Sequence, residues 1–296
     1  MSVPQLPENA VLGSVFDISA IDPSTHLFFD DHPNNVIDVQ SVANAYELNL
    51  TSVWCLPTRM TLHGLNGEPR IFDCANQEEK VAYYELKRTD APSFVRDVTR
   101  SPPYKIGTGI TREIIQQIID KETEPGPKRT GQYFFDFDML LNQFNGLEFS
   151  NLNGVDPSPV WFAQYAKYLF SDYIGAEPET SRLNLLKRMF EAIGHERIYI
   201  ITANGTAKDA QRMNFIKLIQ VLLPSFMPDH LRFVRGHKSD VIVDILESRP
   251  NGGARSKARK TRSTTRKTRS KARKTMTRAR RTKMITKSNR CSRKKA

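Results

Sequence analysis

The chain of 296 residues has few cysteines, no long apolar run and no signal-like start. Its three cysteines, Cys55, Cys74 and Cys291, are odd in number and lack the C-x-x-C spacing of zinc and redox sites, which argues against a disulfide scaffold. No stretch approaches the roughly 18 uninterrupted apolar residues of a membrane-spanning helix. The first residues, MSVPQLPEN, contain neither the basic nor the apolar segment of a secretory signal. We therefore expect an intracellular protein that is not secreted and does not span a membrane.

Acidic and aromatic residues are missing from the last part of the chain. Residues 251–296 contain 20 of the 44 Lys and Arg residues and no Asp, Glu, Phe, Trp or Tyr. The net charge of +12 comes from this segment, since residues 1–250 hold 24 basic and 32 acidic residues, a net charge of −8. A segment this polar cannot bury a core. We expect a folded domain over 1–250 and a disordered basic tail over 251–296.

The tail contains the sequence RSKARKT twice, at 255–261 and at 269–275. Dense positive charge of this kind binds nucleic-acid phosphates with steep salt dependence and little sequence preference, and it is also typical of a nuclear-localisation signal. An anionic membrane surface and the acidic domain of the same chain are alternative partners. The residues predicted to bind nucleic acid are the basic residues of the two repeats: Arg255, Lys257, Arg259, Lys260, Arg269, Lys271, Arg273 and Lys274.

Short apolar runs alternate with stretches of helical periodicity between residues 26 and 247. Because the runs are continuously apolar, they predict strands of a parallel sheet that helices cover on both faces. The predicted fold class is α/β, with a doubly wound, Rossmann-like parallel sheet. Residues 57–130 show one clear helix, at 110–122, and otherwise predict a connector or a lid. The predicted strands are 26–30, 50–56, 133–138, 197–202 and 231–234.

Polar residues follow four of these five strands at their carboxyl ends. In an open parallel sheet the ligand site lies outside these ends, near the point where the strand order reverses. The sequence therefore directs several carboxylates, one hydroxyl and one ammonium to a single cleft. The residues are Asp30 and Asp31 after the first strand, Asp136 and Asp138 at the third, Thr202 at the fourth and Lys238 beyond the last.

The four carboxylates predict a metal site. Neighbouring carboxylates repel one another, and a hard divalent cation with oxygen ligands relieves the repulsion. We expect Asp30, Asp31, Asp136 and Asp138 to hold Mg²⁺. With the metal bound, a phosphoryl group completes the charge balance, so the expected partner is a phosphorylated substrate.

The residues predicted to be catalytic fit the needs of phosphoryl transfer, which are an in-line nucleophile, stabilised phosphoryl oxygens and a proton for the leaving oxygen. Asp136 can attack phosphorus. Asp138 can protonate the leaving oxygen and then activate the water that hydrolyses the aspartyl-phosphate. Thr202 can donate a hydrogen bond to a phosphoryl oxygen, and Lys238 supplies a positive charge.

Taken singly, these residues have ordinary structural explanations. The sequence Asp-Asp-His-Pro-Asn-Asn contains the residue types that cap a helix or form a turn. Lys238 alone could be a solvated residue at the start of a helix. Only their joint placement at strand ends favours the functional interpretation. His32 and His237 lie beside them and are assigned no role, because exposed loop histidines are commoner than catalytic ones.

Four segments at these strand ends resemble the motifs of the haloacid dehalogenase (HAD) superfamily. YFFDFDMLLNQFNG resembles its first motif, IYIITANG its second, RGHKSDVI its third and HLFFDDHPNNVIDV its fourth. The resemblance covers about 24–56 and 131–247 and implies a Mg²⁺-dependent phosphoric monoester hydrolase. The short interval between Asp136 and Thr202 leaves little room for a cap domain, and members without a cap often act on protein or nucleic-acid phosphates. The expected phosphorylated substrate is a small molecule, a protein or a nucleic acid.

Two features depart from the family pattern. Leu140, two residues after Asp138, stands where the family usually has Thr or Val. The acidic motif comes before the first motif, whereas the family places it last, and a circular permutation would explain this. A permuted chain that begins at the family's fourth strand has the strand order 2-1-3-4-5 in the numbering of this chain, with Asp30, Asp31 and Asp136 beside the switch point.

Two other classes of function stay open. The order of acidic pair, Asp, Thr and Lys also resembles the receiver domains of two-component signalling, but Asp138 then has no purpose and Ser239 stands where that family has Pro. A non-catalytic structural or packaging protein is the other class, with Leu140 as its sign of lost turnover. Basic repeats like those of the tail resemble proteins of large DNA viruses, so the nucleus and the virion are candidate locations. We predict a Mg²⁺-dependent phosphatase with a nucleic-acid-binding tail, of unknown oligomeric state.

Overall fold

The computed structural model describes residues 5–56, 58–99, 101–103, 105–145, 156–203 and 209–248. The chain divides into one compact unit, Met1–Asp244, which holds the sheet and the predicted site, and a second one, Ile245–Ala296. The second unit is described only as far as Ser248. The predicted tail, with the eight residues predicted to bind nucleic acid, therefore lies outside the described residues.

The described strands form one parallel sheet and one hairpin. They are β1 (Val11–Leu12), β2 (His26–Asp30), β3 (Leu50–Trp54), β4 (Arg59–His63), β5 (Pro69–Asp73), β6 (Tyr133–Phe135), β7 (Ile198–Thr202) and β8 (Leu231–Phe233). The sheet has the order β1-β3-β2-β6-β7-β8, and β4 pairs with β5 in the antiparallel hairpin. In the sheet, Phe29 of β2 lies opposite Val53 of β3 on one side and Phe135 of β6 on the other. The prediction of an α/β protein with a parallel sheet is confirmed.

Burial explains why the central strands β2, β6 and β7 are almost entirely apolar. Every residue of β6 and β7 is buried, and in β2 only His26 is partly exposed. A strand covered on both faces has no position for a solvated side chain. The rings of Phe29 and Phe135 stack across neighbouring strands with their centroids 5.2 Å apart. The edge strand β1 was not predicted, because two residues are too few to form a sequence pattern.

Several helices begin where the sequence supplies a capping residue. The hydroxyl of Ser158 accepts a hydrogen bond from the N–H of Trp161, and the hydroxyl of Ser181 accepts one from the N–H of Asn184. In the described part of the chain, none of the helices combines the length and the apolar character needed to cross a membrane. The helices are α1 (Pro33–Ala45), α2 (Gln77–Asp90), α3 (Ser93–Val98), α4 (Arg112–Thr123), α5 (Pro159–Phe170), α6 (Arg182–Ile193), α7 (Asp209–Gln220) and α8 (Lys238–Glu247).

The segment 57–130 has more structure than the sequence predicted. Besides the predicted helix, which is α4, it contains the β4–β5 hairpin and the helices α2 and α3. The buried residues of α2 are only Tyr83, Tyr84 and Lys87, so its apolar face is too narrow to show in the sequence. Tyr83 and Tyr84 belong to the main hydrophobic core together with Phe72 of β5. This segment therefore contributes to the core, and its action as a lid stays a prediction.

Candidate active site

Three carboxylates lie together at the carboxyl ends of neighbouring strands. Asp30 is the last residue of β2, Asp31 follows it, and Asp136 follows β6, which pairs with β2. One ligand oxygen from each of the three lies within 4.8 Å of the other two. Asp30 and Asp136 are buried, and Asp31 is half-buried. This cluster could hold a metal ion, because carboxylates so close together repel one another unless a cation or a proton intervenes.

The ammonium group of Lys238 lies between two of these carboxylates. Its Nζ is 2.7 Å from Asp30 Oδ2 and 2.7 Å from Asp136 Oδ1. Only 4% of the Lys238 side chain is exposed, so both ion pairs are shielded from water. The ammonium thus supplies one of the positive charges that the cluster requires, and it contacts two of the three carboxylates that could hold a metal ion.

Burial shifts the pKa values of the charged groups in the cluster. It raises the pKa of Asp31 to about 7, and the charge of Asp30 adds to the effect. The pKa of Asp136 is well above its usual value, because burial and the charge of Asp30 outweigh the opposing charge of Lys238. Burial acts to lower the pKa of Lys238, but the two carboxylates outweigh it and raise that pKa. Protons, the ammonium and any bound cation therefore compete for the same carboxylates.

The start of α1 holds Asp30 in place. The backbone N–H of His32 donates to Asp30 Oδ1 at 2.8 Å, and Asn35 Nδ2 lies 3.1 Å from each of the two Asp30 oxygens. The indole N–H of Trp54, at the end of β3, donates to the carbonyl oxygen of Asp31 at 3.0 Å. Asn35 was not predicted as a site residue. The sequence DDHPNN predicts that a helix begins here, and this was the one sequence feature that could have indicated a role for Asn35. In the first turn of α1, the Asn35 side chain reaches back to the end of β2.

A tight turn, Phe137–Leu141, follows Asp136 and carries Asp138. The backbone N–H of Phe137 donates to Asp136 Oδ1 at 2.7 Å. Within the turn, Met139 has a φ of 59°, in the left-handed region that residues other than glycine seldom adopt. A strained conformation of this kind persists only where surrounding contacts maintain it.

Arg182, at the start of α6, provides such contacts. Its buried guanidinium donates to the carbonyl oxygens of Leu140 (2.7 Å) and Leu141 (2.8 Å). The backbone of Gly109 lies close to the carbonyl of Leu140, and only glycine fits there because a Cβ would collide with that carbonyl. The Leu140 side chain, which departs from the HAD pattern, is fully buried in the core. Sequence reasoning missed Arg182, because a lone arginine in a helical pattern usually predicts an exposed position.

Asp138 and Thr202 are not among the three carboxylates that the described structure groups as a possible metal site. Asp138 is half-buried and is not one of the three residues whose oxygens lie within 4.8 Å of one another. Its charge nevertheless raises the pKa of Asp31, which places it near the cluster. Thr202 is buried at the end of β7, at the same edge of the sheet, and its carbonyl accepts a hydrogen bond from Val234 N–H at 2.9 Å. The metal and acid–base roles of Asp138 and the phosphate contact of Thr202 stay predictions.

No family model, no curated protein and no solved structure matches this chain. The resemblance to the HAD superfamily therefore rests on the motifs of this chain alone. The geometry establishes a buried site at the edge of a parallel sheet, where three carboxylates and one ammonium meet and which could hold a metal ion.

Proposed function

We propose that this protein is a Mg²⁺-dependent phosphatase that hydrolyses phosphomonoesters through an aspartyl-phosphate at Asp136. The observation that carries the proposal is the contact of Lys238 with both Asp30 and Asp136, inside a cluster that could hold a metal ion. The donor set consists of carboxylate oxygens, which suit Mg²⁺ better than a soft metal. An anionic substrate requires positive charge in such a site, and the ammonium together with Mg²⁺ would supply it.

We further infer that the sheet is doubly wound and that the chain is a permuted form of the HAD arrangement. The order β3-β2-β6-β7-β8 supports this inference, because the direction of the strand order reverses between β2 and β6. Ligands of doubly wound sheets bind outside the carboxyl ends of the strands at this switch point. Asp30 is the last residue of one of the two strands that flank it, and Asp31 and Asp136 directly follow these strands.

Asp136 is the nucleophile of the proposed reaction. Its carboxylate oxygen forms a bond to phosphorus while the bond from phosphorus to the ester oxygen breaks, and Asp138 donates a proton to the departing oxygen. Asp138 then takes a proton from the water that attacks the same phosphorus. The bond between Asp136 and phosphorus breaks, and inorganic phosphate leaves. One water is consumed for each ester hydrolysed.

Lys238 has two roles in this reaction. Asp136 attacks only in its ionised form, and the ammonium 2.7 Å away favours that form against the effect of burial. An ammonium this close to Asp136 is also within reach of a phosphoryl group bound there, so it stabilises charge on the phosphoryl oxygens. Thr202 offers a hydroxyl from the neighbouring strand end. Asp30, Asp31 and Asp136 would hold Mg²⁺, which neutralises the phosphoryl group further.

Release of phosphate from a generic aryl phosphate tests the proposal. The wild-type protein should turn over only with Mg²⁺, and Asp136→Asn and Asp138→Asn should each abolish turnover. Asp240→Asn is the matched control, since it removes an exposed carboxylate two residues beyond Lys238 and should leave the rate unchanged. An inactive wild-type protein, or full activity in Asp136→Asn, would contradict the proposal.

A receiver-like switch is the second candidate, since the same acidic pair, Asp136, Thr202 and Lys238 would serve it. A switch should accept a phosphoryl group from acetyl phosphate, hold it on Asp136 for minutes or longer and be unaffected by Asp138→Asn. The charge of Asp138 raises the pKa of Asp31. This influence on the cluster favours the phosphatase, which uses Asp138, over the switch, which does not. The lifetime of the phosphorylated protein therefore separates the two candidates.

We also propose that the tail binds nucleic acid, because residues 251–296 carry 20 basic residues and no acid. Each phosphate contact made by Lys or Arg steepens the salt dependence of binding. Replacing the eight basic residues of the two repeats by Gln in the full chain should weaken DNA binding and flatten its dependence on salt concentration. Unchanged binding by this variant would refute the assignment.

A further inference from the structure

We propose that Asp38 is a positioning residue that holds Lys238 between Asp30 and Asp136. The inference deepens the proposed function and rests on the role given there to Lys238. Asp38 lies in α1, which follows the strand that carries Asp30, and Lys238 is the first residue of α8. A contact between these two helices therefore links the two sides of the ion pair.

One oxygen of Asp38 contacts the residues on both sides of Lys238. The hydroxyl of Ser239 donates to Asp38 Oδ2 at 2.7 Å, and His237 Nδ1 lies 3.0 Å from the same oxygen. Because both neighbours of Lys238 are held, the backbone at position 238 has little freedom to shift. The long side chain of Lys238 then starts from a fixed point, so no further backbone freedom is lost when its ammonium is confined between two carboxylates.

The same helix also fixes the opposite member of the ion pair. Asn35 and Asp38 are three residues apart, a spacing that places both side chains on one face of α1. Asn35 Nδ2 lies 3.1 Å from each oxygen of Asp30. One rigid element thus sets the position of the Asp30 carboxylate through Asn35 and that of the Lys238 backbone through Asp38.

Trace labelling of lysines with acetic anhydride tests the contact without any need for enzymatic activity. In the wild-type full chain, Lys238 should react far more slowly than the partly exposed Lys217, because its ammonium is buried and paired with two carboxylates. In Asp38→Ala, labelling of Lys238 should increase roughly fivefold or more, which corresponds to the loss of one ordinary hydrogen bond. Labelling of Lys217 should not change, and Asp240→Asn should match wild type at both lysines.

A labelling rate of Lys238 that is unchanged in Asp38→Ala would overturn the proposal. If Asp38→Ala does not fold, Ser239→Ala removes only one hydroxyl and should give a smaller increase of the same kind. No increase in Ser239→Ala would then overturn it.

Kinetics on an aryl phosphate provide the second arm. Asp38→Ala should lower kcat roughly five- to tenfold, in line with the weakening of one or two hydrogen bonds. In the Lys238→Met background the same change should have no further effect, since Asp38 acts through Lys238. An equal loss in both backgrounds would overturn the proposal. If all forms are inactive, the proposed function fails, and the labelling result alone decides the role of Asp38.

Discussion

Replacing Lys238 by Met removes a buried ammonium and leaves the carboxylates of Asp30 and Asp136 without their shared partner. Methionine is flexible and similar in length, so it fills the space of the lysine stem. We expect the variant to fold and to be less stable than wild type. We also expect its deficit in the free energy of unfolding to grow as the pH rises from 5 to 8.

The size of the deficit follows from the burial of the three groups. The exposed fractions of the side chains are 4% for Lys238, 0% for Asp30 and 9% for Asp136, so water has little access to the carboxylates that remain. Removing one partner of a buried pair costs about 3–5 kcal/mol, because the other charge is left uncompensated. At pH 8 we expect a deficit of about 4 kcal/mol.

The pH dependence follows from the pKa shifts. In wild type, the positive charge of Lys238 acts to lower the pKa of Asp136. The variant lacks this charge, and the pKa of Asp136 therefore rises further. A carboxyl with a raised folded-state pKa stabilises the folded state at low pH, and this contribution is lost as the pH rises through that pKa. In wild type, the raised pKa of Lys238 gives a stabilisation that is fully present below the unfolded value of about 10.4. The deficit should therefore shrink at pH 5 to about 1–2 kcal/mol, the range of a hydrogen bond.

Urea unfolding of the full chain at pH 5, 6.5 and 8 measures the deficit. The control is Lys217→Met, which removes an exposed ion pair with Asp156 and should cost less than about 1 kcal/mol at every pH. A deficit of equal size at pH 5 and pH 8 would refute the reasoning. So would a deficit no larger than that of the control.

Three further predictions concern the metal and two buried charges. Millimolar Mg²⁺ should raise the Tm of wild type and do so much less in Asp31→Asn, which loses the negative charge of one of the three candidate ligands. Equal shifts would argue against the site. Burial lowers the pKa of Lys87 to about 8, so wild type should gain roughly 2–3 kcal/mol of stability relative to Lys87→Met between pH 7 and 10, because its unfolded state binds the extra proton there. Parallel pH profiles from urea unfolding would contradict this. Glu122→Gln leaves Arg197 without its buried carboxylate partner and should lower the free energy of unfolding by about 3 kcal/mol in the same assay. The control Glu124→Gln removes an exposed partner of Lys121 and should lower it by less than about 1 kcal/mol.

The strands that position the site were visible in the sequence because burial on both faces makes them continuously apolar. The apolar runs of β2, β6 and β7 are each followed directly by a polar residue, which is Asp30, Asp136 or Thr202. Parallel strands present these carboxyl ends at one edge of the sheet. The sequence could therefore suggest which side chains meet. It could not show that the ammonium of Lys238 reaches two carboxylates at once, since this depends on where α8 begins relative to the sheet.

Other residues of the site were hidden because their partners are distant in sequence. Asp38 contacts His237 and Ser239, about 200 residues away, and no local pattern records such a contact. Arg182 donates to backbone carbonyls, which every residue has, so the residue types at positions 140 and 141 could not predict this contact. Helix α2 was missed for another reason, since its charged sequence buries too few side chains to show a helical period.

The ion pair between Asp30 and Lys238 spans 208 residues of the chain, and this separation affects how the protein is made. A ribosome that adds about 5–20 residues per second needs roughly 10–40 s to travel from one to the other. Throughout that interval the nascent chain contains β2 but not the ammonium that neutralises its terminal carboxylate. Contacts of such long range also slow folding, because a large loop must close before they form. Asp30, the first carboxylate of the cluster to be synthesised, therefore gains its ammonium partner only after the last helix of the described chain has left the ribosome.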